Sequence, residues 1–158
     1  MTGYRFNTAP ELRVGLGTSR EVGAYCAQLG IKRPLLVTDP GLVTVGLVAP
    51  VQDAMAATCE RVGLFSEVTA DPAESVVLNA LAMLQAGEAD GVVGLGGGSS
   101  MDVAKAIAVL AAGNQTLAEA YGVDKVAGGR LPLILIPTTA GTGSEVTPVA
   151  VITTGETT

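Results

Sequence analysis

The sequence contains no histidine and no tryptophan, and aromatic residues make up only 3% of its 158 positions. Histidine is the commonest side-chain general base and the commonest ligand of transition metals, so this chain has no imidazole for either task. With few aromatic side chains, a core has to be built from alanine, valine and leucine, and 48% of the residues are hydrophobic. This composition is typical of a buried parallel sheet covered by helices rich in small residues.

Basic residues and long apolar runs are scarce as well. Nine lysines and arginines stand against 15 aspartates and glutamates, which gives a formal net charge of −6. Such a chain is a poor match for nucleic acid, whose phosphates need clustered basic side chains. No apolar run approaches the ~20 residues of a membrane-spanning helix, and the first residues contain no signal-peptide core. We therefore expect a cytoplasmic protein that binds neither nucleic acid nor membranes. Cys26 and Cys59, far apart on predicted helices, are interpreted as small buried hydrophobic residues.

Short apolar runs alternate with stretches of helical spacing along the chain. This order predicts βαβ units, and hence a single α/β domain over residues 1–158 with a parallel sheet. The predicted strands are residues 34–38, 64–68, 91–95 and 131–136, with 149–153 as a further candidate. The predicted helices are residues 17–29, 48–62, 73–85 and 100–112, with a short helical turn at 116–121. Residues 4–16 alternate loosely around a turn signal and predict an N-terminal β-hairpin.

Three consecutive glycines, Gly96, Gly97 and Gly98, join the apolar run 91–95 to the helix predicted over 100–112. Glycines allow close approach of an anion, and the N–H groups and dipole of a helix start hold its charge. A dinucleotide pyrophosphate is the expected ligand, although the pattern G-x-G-x-x-[GA] fails at Ser99 and no Walker lysine follows. The alternative is a capping box, in which Ser99 and Asp102 merely start the helix.

Two more polar groups follow predicted strands. Residues 137–147, PTTAGTGSEVT, carry five hydroxyls and two glycines directly after the strand 131–136. Asp39 follows the strand 34–38, where a carboxylate can accept hydrogen bonds from a ribose diol. Asp39 is equally consistent with an ordinary turn or helix cap. Because the carboxyl ends of parallel strands share one edge of a sheet, we expect these groups and the glycines to lie close together.

The blocks GGGSSMDVAKAIAV and IPTTAGTGSEVTPVAVIT resemble the two signature blocks of the iron-containing (group III, metal-dependent) alcohol dehydrogenase family. The upstream segments GTSREVG and VTDPGL also resemble that family's pattern. The resemblance implies a Rossmann-like N-terminal domain of the dehydroquinate synthase type, which binds the cofactor. It also implies a helical C-terminal domain, absent from residues 1–158, with the active site in the cleft between the two.

The resemblance assigns cofactor contacts residue by residue. Gly97, Gly98 and Ser99 match the residues that hold the pyrophosphate, and Asp39 matches the residue that reads the adenosine ribose. An acid at that position favours NAD over NADP, since it repels a 2′-phosphate. The positions expected to line the cofactor cleft are Asp102, Thr138, Thr139, Thr142 and, with a weaker match, Ser144 and Thr147.

The absence of histidine is a departure from the family. Its members hold a divalent metal, iron or sometimes zinc, with one aspartate and three histidines of the helical domain. The resemblance therefore implies that this chain is the NAD-binding half of a parent dehydrogenase, inactive alone, with no catalytic or metal-binding residue of its own. The parent transfers hydride between a small alcohol and NAD, giving an aldehyde or ketone. A non-catalytic dinucleotide-binding module and a dehydroquinate synthase-like lyase are the alternatives, and a homodimer is a further expectation.

Overall fold

The computed structural model describes residues 8–113, 115–122 and 124–155, which form a parallel sheet flanked by helices. The sheet has four strands in the order β2-β1-β3-β4, and all three pairings are parallel. The strands are β1 (Pro34–Val37), β2 (Gly63–Phe65), β3 (Gly91–Gly96) and β4 (Leu133–Pro137). The predicted α/β class and parallel sheet are thereby confirmed.

Helices cover both faces of this sheet. They are α1 (Val22–Gln28), α2 (Pro40–Thr44), α3 (Ala49–Ala56), α4 (Glu74–Ala86), α5 (Gly98–Ala112) and α6 (Leu117–Ala120). A 3₁₀ turn, Thr18–Glu21, precedes α1. The longest helix, α5, has 15 residues, and no helix in the described ranges is both long and apolar enough to cross a membrane.

Alternate residues of the central strands supply two separate cores. Leu35 and Val92 face α4 and α5, where Val77 and Ile107 complete the packing. The next residues along the strands, such as Leu36, join the core under α1 and α3. Because both faces of β1 and β3 are buried, these strands are continuous apolar runs in the sequence. This burial also holds their carboxyl ends rigidly at one edge of the sheet.

Gly94 lets α5 lie close against β3. A Cβ atom added at Gly94 would stand only 2.8 Å from Cβ of Ala104 and 3.0 Å from Cδ2 of Leu135. Only a residue without a side chain fits this contact. The close packing fixes the position of α5, and therefore of its N-terminus, relative to the end of β3.

Several boundaries differ from the prediction. The first four residues of the hairpin predicted over residues 4–16 lie outside the described residues, and its described part, 8–16, is without strand pairing. The helix predicted over 48–62 ends at Ala56, after which backbone N–H groups at 58 and 59 close a turn on the carbonyl of Met55. The strand predicted at 149–153 is reduced to one parallel bridge between Thr153 and Ala73.

Candidate functional site

The strand order creates a crevice at the carboxyl edge of the sheet. From β1 the chain moves outward to β2, then returns to place β3 on the other side of β1. The connections after β1 and β3 therefore leave in opposite directions, and ligands of open α/β sheets bind at such a switch point. Asp39 follows β1 and the three glycines follow β3, so two of the predicted groups flank this crevice.

The glycine turn leads directly into α5 without a side-chain cap. Gly96 ends β3 with φ of +150°, and a Cβ there would lie 2.6 Å from Oγ of Ser100. Gly97 is the N-cap residue, and its carbonyl accepts the first helical hydrogen bond from the N–H of Met101 at 3.1 Å. The N–H groups of the first turn, including that of Ser99, have no intrahelical acceptor. They are available to an anion in the crevice.

The alternative capping box is not formed. It requires Ser99 at the N-cap position, whereas the helix begins at Gly98, so that Ser99 is the second helical residue and Asp102 lies inside the helix. The glycines themselves provide the extended backbone from which the helix starts.

The hydroxyl-rich segment 138–147, which we call the hydroxyl loop, stands opposite the glycine turn. Its first residue is tied to the turn, since the N–H of Thr138 donates to the carbonyl of Gly96 at 2.9 Å. A Cβ at Gly97 would lie 3.5 Å from Oγ1 of Thr139. A Cβ at Gly98 would lie 3.4 Å from both Oγ of Ser144 and Cγ2 of Thr142. Hydroxyl side chains thus lie directly across from the two glycines, within contact distance of an added Cβ, and we call the narrow gap between them the cradle.

Thr147 is placed differently from the other hydroxyls. It is exposed and belongs to a turn closed by its own N–H, which donates to the carbonyl of Gly143 at 3.1 Å. Among the described contacts, none joins its side chain to the glycine turn.

Asp39 caps a helix and also stands beside the glycine turn. Its Oδ1 accepts a hydrogen bond from the N–H of Leu42 at 3.0 Å, and Pro40 follows at the first position of α2. The cap interpretation is therefore correct. The second oxygen, Oδ2, would be 3.4 Å from a Cβ at Gly96, so one carboxylate oxygen is engaged in the cap and the other lies at the crevice. A role toward ribose stays a prediction.

Asp102 lies beneath the hydroxyl loop rather than on the crevice surface. It is 5% exposed. Its Oδ2 accepts from the N–H of Val151 at 3.0 Å, and its Oδ1 lies 2.8 Å from Nζ of Lys105. Lys105 in turn donates to the carbonyl of Ser144 at 3.0 Å and to that of Val149.

Lys105 was missed by the sequence reasoning. A signal was present, because the lysine interrupts the small and apolar residues of α5 and stands one turn after an acid at i, i+3. A buried lysine is exceptional unless it is paired.

Three buried side-chain oxygens have no hydrogen-bond partner among the described residues: Oγ1 of Thr38, Oε2 of Glu145 and Oδ1 of Asp102, whose one polar contact is the ion pair with Lys105. Thr38 directly follows β1, and Glu145 belongs to the hydroxyl loop. Buried polar atoms in proteins are usually satisfied.

The metal site that the family resemblance implies does not fit the residues present. The sequence has no histidine, and within the described ranges no group of three or more cysteine, aspartate or glutamate side chains comes together. No step of a reaction is therefore assigned to a metal held by this chain.

The two cysteines, distant in sequence, are neighbours in the fold. Cys26 on α1 is fully buried, and Cys59 lies in the turn after α3, half-buried. Burial first, and then the adjacent thiol of Cys59, raises the pKa of the Cys26 thiol to about 12. Cys26 is thereby kept protonated, as expected of a buried apolar residue.

Known proteins are similar to this chain in sequence and in fold. The profile described as iron-containing alcohol dehydrogenase matches residues 9–158. The 4-hydroxybutyrate dehydrogenase of Cupriavidus necator is 41% identical over 145 residues, covering 89% of this chain and 37% of that protein. The NAD-dependent methanol dehydrogenase of Bacillus methanolicus is 38% identical over 148 residues, covering 94% and 39%.

A solved structure extends the comparison to three dimensions. The sulfoacetaldehyde reductase from Bifidobacterium kashiwanohense, in complex with NAD+, superposes with a TM-score of 0.87 at 30% identity, covering 98% of this chain and 41% of that one. The chain thus spans about two fifths of the length of these relatives. Because the family profile covers nearly all of it, the chain belongs to the iron-containing alcohol dehydrogenase family.

Proposed function

We propose that this chain binds NAD(H) in the crevice at the carboxyl edge of its sheet. As the cofactor-binding part of a dehydrogenase, it would serve hydride transfer between a small alcohol and NAD, giving an aldehyde or ketone. The observation that carries the proposal is the cradle between Gly97, Gly98 and the hydroxyl loop, above the uncapped start of α5.

The pyrophosphate lies on the glycine turn in this proposal. Gly97 and Gly98 leave room for its oxygens, and the N–H groups of the first turn of α5, with that of Ser99 among them, donate to them. The helix dipole adds a partial positive charge, worth about 0.3–1 kcal/mol toward an anion. Backbone donors of this kind explain how a chain of net charge −6 can hold a pyrophosphate without a lysine in the loop.

The hydroxyl loop closes the opposite wall. Thr138, Thr139 and Thr142 are exposed in this loop. Their hydroxyls both donate and accept, so they suit the ribose and amide groups of a dinucleotide. Thr147 is assigned to the outer rim of the same wall.

Asp39 selects NAD over NADP in this proposal. The carboxylate oxygen beside Gly96 accepts from the hydroxyls of the adenosine ribose and repels a 2′-phosphate. The similarity of this chain to an NAD-dependent methanol dehydrogenase and to a reductase solved in complex with NAD+ supports NAD as the cofactor.

The chemistry of the whole enzyme is proposed by analogy with its relatives. Those relatives carry the names of dehydrogenases and a reductase, which favours hydride transfer over dehydroquinate synthase-like lyase chemistry. We assign no catalytic residue to this chain. Its residues bind and orient the cofactor, and we expect no turnover of an alcohol by residues 1–158 alone.

Calorimetric titration of NAD(H) and NADP(H) tests the proposal. We expect NAD to bind with a micromolar to millimolar Kd and NADP to bind more weakly. Gly97→Val should abolish binding while leaving the fold intact, because its Cβ meets only Thr139 at ordinary contact distance and its methyl groups fill the cradle. Gly129→Val is the matched control, since a Cβ at Gly129 has open space around it.

Equal binding by the Gly97→Val variant and the wild type would contradict the proposed site. We expect no turnover of NAD when this chain is mixed with a primary alcohol and added Fe²⁺ or Zn²⁺, and measurable turnover would contradict the expectation that residues 1–158 are inactive alone.

A further inference from the structure

The hydroxyl loop and the residues after it have little apolar packing to hold them. Val149 is 61% exposed and Val151 is 69% exposed. Beyond this stretch, Ile152 packs against the core and Thr153 is hydrogen-bonded to the start of α4, whereas the backbone of residues 144–151 is held by polar contacts from α5. Lys105 donates to the carbonyls of Ser144 and Val149, and Asp102 accepts from the N–H of Val151.

These contacts come from a pair of buried charges. Asp102 is 5% exposed and Lys105 is 8% exposed, and their oxygen and nitrogen atoms are 2.8 Å apart. Withdrawing two charges from water is unfavourable unless each is paired and hydrogen-bonded. Here each charge is paired with the other and also bonded to the backbone of residues 144–151. Removal of the loop would therefore leave both groups partly unsatisfied.

The same helix carries the glycine turn. Asp102 and Lys105 lie in the first turns of α5, and α5 begins at Gly98. Ser144, whose carbonyl Lys105 holds, has its Oγ 3.4 Å from the position of a Cβ at Gly98. The pair thus joins the two walls of the crevice by a short and buried route.

We propose that Asp102 and Lys105 are positioning residues that fasten the hydroxyl loop to α5 and set the width of the cofactor crevice without touching the cofactor. The inference rests on the proposed binding of NAD(H) in that crevice. In this proposal Asp102 does not line the crevice but holds the hydroxyl loop in place from beneath. Lys105, which the family resemblance does not single out, joins it among the residues that shape the cofactor site.

The test combines hydrogen–deuterium exchange with calorimetric titration of NAD. Lys105→Met keeps the stem of the side chain but removes its donors, and Lys105→Arg keeps charge and donors. Because Lys105→Met leaves Asp102 unpaired, the double variant Asp102→Asn/Lys105→Met, in which both charges are absent, is included for the case that the single variant fails to fold. Lys125→Met, at an exposed lysine, is the control.

We expect faster exchange at residues 144–151, with residues 91–96 of β3 unaffected, in the Lys105→Met and double variants. The Kd for NAD should rise about tenfold or more as the loop loses its preorganisation. Lys105→Arg should restore most of the affinity, and Lys125→Met should match the wild type.

Three outcomes would contradict, in turn, the fastening of the loop, the positioning role of the pair and the proposed binding of NAD. Unchanged exchange at 144–151 in a folded variant would show that the pair does not hold the loop. Faster exchange with an unchanged Kd, or a lower Tm alone, would reduce the pair to general stabilisation and overturn the positioning role. Failure of the wild type to bind NAD would contradict the proposed function, whereas the exchange measured without cofactor would still decide whether the pair fastens the loop.

Discussion

The two carboxylate oxygens of Asp39, at the end of β1, contact different neighbours, Leu42 and the glycine turn at Gly96. One oxygen accepts from the N–H of Leu42 at 3.0 Å, and the other stands beside Gly96, 3.4 Å from where a Cβ would be. The capping bond orients the side chain, so the second oxygen is presented at the crevice in a fixed direction. In the proposed function, stability and cofactor choice are therefore coupled in one residue, and conservative variants can separate them.

Asp39→Asn should change cofactor preference without loss of stability. Asparagine is as good an N-cap as aspartate, but it lacks the charge that repels a 2′-phosphate. We expect the ratio of NADP to NAD affinity to rise and the Tm to stay close to that of the wild type. Asp39→Ala is the comparison, and loss of the cap should cost about 0.5–2 kcal/mol. An unchanged ratio in the asparagine variant would remove Asp39 from the cofactor site.

Gly98→Ala should weaken NAD binding with little effect on the fold. Its Cβ would approach Thr142 and Ser144 to 3.4 Å and narrow the cradle. Alanine is favoured over glycine in a helix by about 1 kcal/mol, so the Tm should hold or rise. Titration calorimetry and a thermal melt of the same sample measure both effects. Wild-type affinity in this variant would place the pyrophosphate elsewhere.

Gly94→Ala should destabilise the fold without altering the crevice directly. The added methyl meets Ala104 at 2.8 Å and Leu135 at 3.0 Å. Overpacking of this kind costs about 1–3 kcal/mol, which exceeds the 0.5–1 kcal/mol that alanine gains over glycine in backbone entropy. Urea unfolding should show a lower midpoint than in the wild type, whereas Gly129→Ala should not. A stable Gly94→Ala variant would show that α5 does not need this close contact.

The two cysteines should differ in reactivity. Because burial and then the neighbouring Cys59 raise the pKa of Cys26 to about 12, its thiolate is scarce at ordinary pH, and a folded protein should be alkylated at Cys59 first. Mass spectrometry after brief iodoacetamide treatment at pH 8 measures this directly. Comparable labelling of both thiols in the folded state would contradict the buried position of Cys26.

The same shift predicts a loss of stability at high pH. In the unfolded chain the thiol ionises near pH ~8.5, whereas in the folded protein it stays protonated up to about 12. The unfolded state therefore releases a proton first, and the free energy of unfolding should fall as the pH rises above the unfolded pKa toward the folded one. Urea unfolding at pH 8 and pH 10 tests this, and Cys26→Ala should show a smaller decrease. An equal decrease in the variant would assign the effect to other groups.

Local sequence patterns were sufficient to predict the strands of the sheet and the glycine turn. The apolar runs that form β1 and β3 are buried on both faces of the sheet. Their composition alone therefore predicts that they are strands. The residues around Gly97 could be placed because a turn between a strand and a helix is a local event. Parallel order then placed Asp39 and the hydroxyl loop at the same edge.

What could not be predicted depends on long-range contacts. The capping box fails because α5 begins at Gly98, a boundary fixed by the glycine backbone and not by the Ser99-to-Asp102 spacing. The position of Asp102 depends on Val151, 49 residues away, and on a lysine whose partners are backbone carbonyls. Every residue has a backbone carbonyl, so the amino-acid sequence does not indicate which of them accepts a hydrogen bond from a lysine.

The bridge between Thr153 and Ala73 has a consequence for the order of folding. The N–H of Thr153 donates to the carbonyl of Pro72 at 2.9 Å, and its own carbonyl accepts from the N–H of Glu74 at 3.3 Å. Contacts between segments some 80 residues apart carry a large loop-closure cost and tend to form after local ones. We expect the glycine turn and α5 to be in place before the final segment docks at the N-terminus of α4. The crevice would then be completed only in the last step, so a dinucleotide would recognise the finished protein and not its intermediates.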